Sequence, residues 1–368
     1  MINAGLLTDI GVDCAGIIAA GVDTSSRLAV GTESGLALSY NHGHLDDSYN
    51  LVRYDDCLRV MSRHFPPSVV VSDSHPGLAS TRVARALSRR TGARLVTVDH
   101  AHAHIAAVMA DNGLRSRVIG LVTDLGDIST DNDSRHMRGT ELLVCDLRSC
   151  TPVATAEAVA VPKSAEPWEC AVGVILHYTG SLHNIPQGLL EAVGRRNITA
   201  AARRCDDPSE SIVITGGRAL ADGAAAVIGT LRGISDGALW HWTDIAALAE
   251  GLVAAPYSID ASRPFSGFLA LEEMLADLHS HTDPSVVAAR FFATLTRSWA
   301  VAACRIGARE EIDRVVASGD MMSSPYVCAL LGRYLRALGM ELYLPATVGF
   351  GDSSIAVGQA AVAAALRA

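Results

Sequence analysis

Three histidines alternate with alanine in Asp99-His100-Ala101-His102-Ala103-His104-Ile105-Ala106-Ala107. The apolar run Leu95–Val98 leads into them, and Val108-Met109-Ala110 continues the pattern. A helix that starts at or beside Asp99 sets His100 and His104 four apart on one face and points His102 elsewhere. Two imidazoles so spaced can hold one first-row divalent metal ion from a single helix face. The plainer alternative is a chance cluster on a solvated face. Two acidic loops add weight to the metal. One begins at Asp124, which abuts the buried run Val118–Thr123 and opens a turn-rich stretch with Gly126, Asp127, Ser129 and Asp133. The other, Gly349-Phe350-Gly351-Asp352-Ser353-Ser354, stands before a final helix over Ile355–Arg367. The positive end of that helix favours a carboxylate, so Asp352 can cap it and can also ligate a metal.

Other polar groups gather in loops. Tyr40–Asp47 holds His42, His44 and Asp46, for which a solvated connection is at least an equal reading. Asp73-Ser74-His75-Pro76 ends a short strand, Ser68–Ser72, and the carboxyl ends of parallel strands commonly line a cleft. Asp23-Thr24-Ser25-Ser26 turns between two apolar runs, Ile17–Val22 and Arg27–Gly31. Its amides either face a phosphate or close an ordinary hairpin. Arg314–Ser318, Gly319, Asp320 and a helix over Ser324–Leu338 make a strand, a glycine turn and a helix, which suits a nucleotide. A second strand end, Ile212–Gly217 with Asp222 beyond it, is a further nucleotide candidate.

The elements that position these groups alternate. Helices are expected over Asp55–Phe65, Thr81–Arg90 and Val286–Arg305, and strands at Leu95–Val98, Val118–Thr123, Glu141–Cys145 and Glu341–Pro345. Short connections in a β–α–β–α rhythm imply an α/β fold with mixed sheets flanked by helices. The stretch from about 157 to 284 reads as mostly helical and Ala-rich, an insertion whose Trp168, Trp240 and Trp242 are core residues.

A chain of 368 residues, 49% apolar, is long enough for two cored domains. Its net charge of −9, with no block of Lys or Arg, argues against duplex DNA and more weakly against RNA. No apolar run reaches membrane-spanning length, and no cationic segment precedes Cys14–Val22, so neither membrane nor signal peptide is expected. The eight cysteines form no CxxC and read as reduced thiols of a cytoplasmic protein.

Taken in order, separate blocks resemble a known family. They run from Gly43-His44-Leu45-Asp46 through Asp73-Ser74-His75-Pro76, Ser80-Thr81-Arg82 and His100–Ala106 to Glu166-Pro167-Trp168 and Ala288-Ala289-Arg290-Phe291. They close on Ser318-Gly319, Tyr343-Leu344-Pro345 and Gly351–Ala360. The chain resembles the C-terminal catalytic part of HypF-type hydrogenase-maturation carbamoyltransferases, shared with tRNA threonylcarbamoyladenosine synthases and antibiotic O-carbamoyltransferases. The resemblance implies an actin-like fold of two lobes. The first spans 1–118 with the C-terminal helix 353–368, and the second spans 119–352. It implies an iron ion, or else zinc, held by His100, His104, Asp124 and Asp352. It places adenosine on Gly319, Asp320 and Ser324, although the family has glycine and asparagine at the last two, which implies reorganised contacts. Gly217 and Asp222 join the nucleotide set, and Asp23, Thr24, Ser25 and Gly126 the phosphate set.

The expected activity is transfer of a carbamoyl group from carbamoyl-adenylate, made from ATP, to a hydroxyl of a small antibiotic-type acceptor such as a macrolide or aminoglycoside. The candidates to take the acceptor's proton are His42, His44, Asp46, His75 and His102. With no acylphosphatase, zinc-finger or adenylating part in sight, a separate enzyme is expected to form the carbamoyl-adenylate. The alternatives are a split hydrogenase-maturation factor that carbamoylates a protein cysteine, a tRNA-modifying enzyme, and a non-catalytic actin-like binding module.

Overall fold

The computed structural model describes residues 6–8, 13–33, 35–128, 136–163, 166–215, 217–231, 236–259 and 270–367. Two sheets carry the chain. The first contains β1 (Leu6–Thr8), β2 (Ile17–Ala19), β3 (Ala29–Thr32), β4 (Gly35–Leu38), β5 (Val69–Asp73) and β6 (Arg94–Val98). Their order is β1-β4-β3-β2-β5-β6. The second contains β7 (Val118–Ile128), β8 (His136–Cys145), β9 (Cys150–Thr155), β10 (Ala158–Pro162), β11 (Ser211–Thr215), β12 (Arg314–Ser318) and β13 (Glu341–Tyr343). Their order is β10-β11-β8-β7-β12-β13, with β9 also on β8.

One pattern is used twice. An antiparallel meander, β2-β3-β4, is extended from β2 by parallel β5 and β6. The meander β7-β8-β9 is extended from β7 by parallel β12 and β13. Each repeat ends in a helix, α3 (His100–Asp111) after β6 and α12 (Ile355–Arg367) after β13. This duplicated topology is the two-lobed actin-like fold.

Side-chain alternation explains the layers. Ile17, Ala19, Val69 and Val71 face α3 and α12, while Ile18, Val30 and Val70 face α1 (Ser48–His64) and α2 (Ala79–Thr91). In β7, Val118 and Val122 join the α3–α12 core, whereas Ile119 and Leu121 pack under the helical layer. That layer contains α4 (Pro167–Thr179), α5 (Gln187–Val193), α6 (Arg195–Asp206), α7 (Gly217–Leu231), α8 (Trp242–Ala249) and α9 (Ala270–His279). It continues with α10 (Pro284–Glu310) and α11 (Pro325–Ala337). Among the described residues, no helix is long and apolar enough to cross a membrane.

Three expectations change. The helix expected at Asp55 starts at Ser48, where the Asp47 carboxylate caps the amides of Tyr49 and Asn50. The stretch from Glu157, read as helical, opens with strand β10, paired antiparallel to β11. Cys145 and Cys150 face each other in register across the β8–β9 hairpin and are joined as a disulfide; the other six cysteines form no disulfide.

Helices α3 and α12 lie between the sheets, and both are rich in alanine, so their backbones approach closely. Gly358 is the tightest point: a Cβ there would sit 1.8 Å from the Ala103 carbonyl oxygen. The buried Gln359 amide bonds the backbone of Gly21 twice, accepting from its N–H at 2.8 Å and donating to its oxygen at 3.0 Å. Replacing Gly358 by valine is expected to cost about 3 kcal/mol, because backbone cannot retreat as a flexible side chain can. A thermal melt should show the drop, and Gly358→Ala should fall between the two.

Candidate metal centre

Asp99 starts α3: its carboxylate accepts from the amides of Ala101 and His102 at 3.1 and 3.3 Å. The cap fixes the helix phase, and His100 and His104 emerge side by side with ring centroids 4.9 Å apart. Asp352 comes from the other repeat, in the short turn Gly351–Ser354 that leads into α12. Its Oδ1 lies 3.4 Å from His100 Nε2 and 3.5 Å from His104 Nε2. The three donor atoms all lie within 4.8 Å of one another.

The far nitrogens have partners that allow each Nδ1 to carry the proton. His100 Nδ1 is 3.1 Å from the fully buried Asp73 carboxylate, and His104 Nδ1 is 3.1 Å from Ser318 Oγ. A proton on each Nδ1 leaves the Nε2 lone pairs pointing at Asp352 Oδ1, itself buried and, among the described residues, without a hydrogen-bond donor. Lone pairs and a carboxylate oxygen converging in a place with little water fit a divalent cation, and the outer carboxylate–histidine contact is the usual way to orient such ligands. Thr24 donates its hydroxyl to the other oxygen, Asp352 Oδ2, which ties the β2–β3 turn to the site.

The loop before Asp352 is also fixed by α3. At the end of that helix, Asp111 accepts from the amides of Ala346, Thr347 and Val348 and from the Thr347 hydroxyl. Burial works to raise the Asp111 carboxyl, and these four donors outweigh it, so it lies below the usual range.

The other expected site residues are spread around this centre. Asp124 lies in β7 where its register with β8 shifts between Thr123 and Gly126. The side chain of Asp124, Gly126 beyond its strand pairing, and the loop through Ser129 to Asp133 lie outside the described residues. Asp23 uses its carboxylate to cap α2, accepting from Ala79 and Ser80 amides at 2.7 and 2.8 Å, and Ser25 takes a left-handed backbone. Gly319, with φ of 105°, precedes the turn holding Asp320. Asp320 stands beside the metal turn, since a Cβ on Gly351 would come 2.8 Å from its Oδ1. Ser324 caps α11 through Val327 N–H. Gly217 opens α7, and Asp222 accepts from Trp242 N–H at 2.8 Å, joining α7 to α8.

Of the five proton-transfer candidates, His102 is turned away from the metal face. Its Nε2 donates to the Asp146 carbonyl at 2.8 Å, and burial lowers its pKa against that bond. His44 and Asp46 are exposed, and His75 is half-buried with its amide on Asp73. His42 is buried between Tyr40 and Tyr54, with ring centroids at 4.1 and 5.5 Å. Burial, helped by Arg53, lowers its pKa to about 4. Two contributors to the site stood in motifs the sequence singled out, but without a role as histidine partners. Asp73 and Ser318 are the final residues of β5 and β12, and the only signal was their place at strand ends facing a cleft.

A family model described as "Carbamoyltransferase, Kae1-like Domain, second subdomain" matches residues 132–359, more than half of the chain. The chain belongs to this carbamoyltransferase family. A second model, "HypF Kae1-like domain", matches residues 13–111. The "Carbamoyltransferase HypF homolog" of Cupriavidus necator is 28% identical over 88% of this chain and 85% of its own length. The "Carbamoyltransferase HypF" of Rhizobium leguminosarum bv. viciae is 28% identical over 96% of this chain, which spans 46% of that longer relative. A full-length HypF solved in its phosphate- and nucleotide-bound form superposes with a TM-score of 0.83. It shares 24% identity, covering 98% of this chain and 56% of that one. HypF of T. kodakarensis gives a TM-score of 0.83 at 16% identity, covering 98% and 48%. The fold is therefore that of the HypF carbamoyltransferases.

Two outcomes are expected. Asp73→Asn should weaken divalent-metal affinity by about 10–100-fold while His100→Ala abolishes it, both read by metal titration of the purified chain. The second concerns acid stability. His42 has a folded pKa of about 4 against an ordinary 6.5, so the folded state binds fewer protons between those values. Its contribution is present above the higher value and lost as pH falls toward the lower one. His42→Phe should flatten the loss of stability over that window in urea melts.

Proposed function

We propose that this chain transfers a carbamoyl group from carbamoyl-adenylate to a thiol of a protein partner. The observation that supports it most is the cluster of His100, His104 and Asp352, with both imidazoles oriented from behind by Asp73 and Ser318. His100, His104 and Asp352, together with Asp124, would hold a ferrous or zinc ion, since two imidazoles and two carboxylates suit a borderline-soft divalent cation. Such an ion neutralises phosphate charge and makes AMP a better leaving group.

The residues of the chain do the rest. The Gly319–Asp320 turn lies beside the metal turn, so an adenylate whose phosphate is at the metal has its nucleoside side toward the amino end of α11. The Ser26 N–H is taken by the Gly43 carbonyl, so the amides of Thr24 and Ser25 would be the ones to meet the phosphate or the carbonyl oxygen. The acceptor sulfur attacks the carbamoyl carbon, the bond to the phosphate oxygen breaks, and AMP leaves with that electron pair. The acceptor's proton passes to a neighbouring base or to water.

The acceptor is where the family relationship alters the first expectation. The relatives bear the name HypF, which favours the protein-directed alternative over a small antibiotic-type hydroxyl. The donor is taken to be formed at a separate adenylating site. The direct test supplies carbamoyl-adenylate to the metal-loaded chain with a cysteine-terminated peptide in one arm and an alcohol in the other. AMP release with a thiocarbamate on the peptide is expected, and His104→Ala should lower the rate by at least about 10²-fold. Carbamate formed only on the alcohol would return the acceptor to the small-molecule class. No AMP release in either arm would remove the transfer reading.

A further inference from the structure

The β2–β3 turn and the loop before α1 are knotted together by their backbones. Ser26 N–H donates to Gly43 at 3.0 Å, His42 N–H to Ser26 at 2.8 Å, and Leu45 N–H to Asp23 at 2.9 Å. The Asp23 carboxylate then fixes the first amides of α2, including that of Ser80. This small frame carries several buried polar atoms with no hydrogen-bond partner among the described residues: Ser26 Oγ, Ser80 Oγ and both ring nitrogens of His42. Ser26 and Ser80 are wholly buried, and His42 is 5% exposed. Buried polar atoms in folded proteins almost always meet a partner, so a ligand group or trapped water belongs here.

Position points to the ligand. Thr24, in the same turn, bonds the metal-centre residue Asp352. Ser26 is two residues further on, at most ~7 Å along the chain. In an adenylate held at the metal, the acyl carbon is one oxygen removed from phosphorus, and with Thr24 tied to Asp352 the acyl end would be directed toward this frame. Chemistry narrows it further. A neutral imidazole accepts an amide N–H, and a hydroxyl donates to a carbonyl oxygen. Tyr40 and Tyr54 clamp the His42 ring, and its lowered pKa keeps it neutral, as a neutral amide requires.

We infer that Ser26 and His42 form the subsite for the carbamoyl amide of the donor and select it over acyl groups that lack an N–H. The inference rests on the carbamoyl-transfer reading given above. A site built to bond a substrate N–H rejects the analogue without it, because its own buried groups are then left unmet.

The experiment compares AMP release from carbamoyl-adenylate and from acetyl-adenylate, its near isostere. For the wild-type chain, kcat/KM should favour the carbamoyl donor by about 10²-fold or more. His42→Leu should lower kcat/KM for the carbamoyl donor by at least about 30-fold and leave the acetyl donor nearly unchanged, with bound metal retained. Ser26→Ala removes only one oxygen and should shift the ratio in the same direction if His42→Leu does not fold. An unchanged ratio in both variants overturns the inference and leaves trapped water as the partner. An equal loss with both donors also overturns it. If the wild type releases no AMP, the transfer reading fails by itself, and the subsite is then judged by calorimetry. The probe there is the unreactive donor analogue with a sulfamoyl link in place of phosphate. Binding at least about 10-fold weaker in His42→Leu supports the subsite, and equal binding sinks it.

Discussion

Two imidazole nitrogens stand 3.4 and 3.5 Å from one carboxylate oxygen, and with each Nδ1 protonated this arrangement calls for a positive charge among them. The caps, strand ends and turns around it impose that arrangement. The imidazoles come from the first repeat and the carboxylate from the second, so the site exists only where α3 and α12 lie together. Those helices are rich in alanine and approach most closely at Gly358 against Ala103. The Gln359–Gly21 clamp then fixes the axial position of α12 against β2.

The duplicated topology gives the ligands matching supports. Asp73 and Ser318 end β5 and β12, the equivalent strands of the two repeats, and each meets the Nδ1 of one histidine. One support is a carboxylate and the other a hydroxyl. Asp73 sets a negative charge behind His100, while Ser318 orients His104 without adding charge. The centre is therefore symmetric in architecture and unequal in electrostatics.

Much of this was legible in the chain. Four-residue spacing of His100 and His104 needs only the helical period, and Asp352 declared itself by standing before a strongly apolar helix. The family resemblance added the order of the blocks. What was illegible depends on distance or environment. Asp73 is 27 residues from His100 and Ser318 is 214 from His104, and no local period reports pairings of that kind. Strand β10 was hidden because Ala158-Val159-Ala160-Val161 alternates apolar residues of two sizes, which does not separate period two from a helical run. The histidines looked interchangeable, yet His102 serves the β8–β9 turn and His42 is enclosed by tyrosines. Burial makes that distinction, and burial is a property of the assembled fold.

The placement of Asp73 and Ser318 at strand ends ties the chemistry to strand pairing far from it. Successive residues of a strand point to opposite faces, so sliding β5 or β12 by one position would swing its last side chain to the other side of the sheet. One imidazole would lose its rear contact and be free to choose the other tautomer. What prevents such slippage is the alternation of Val69, Val70 and Val71, and of Val315, Val316 and Ala317, between two separate cores. Six apolar residues that touch no ligand thus govern which nitrogen of each histidine carries its proton.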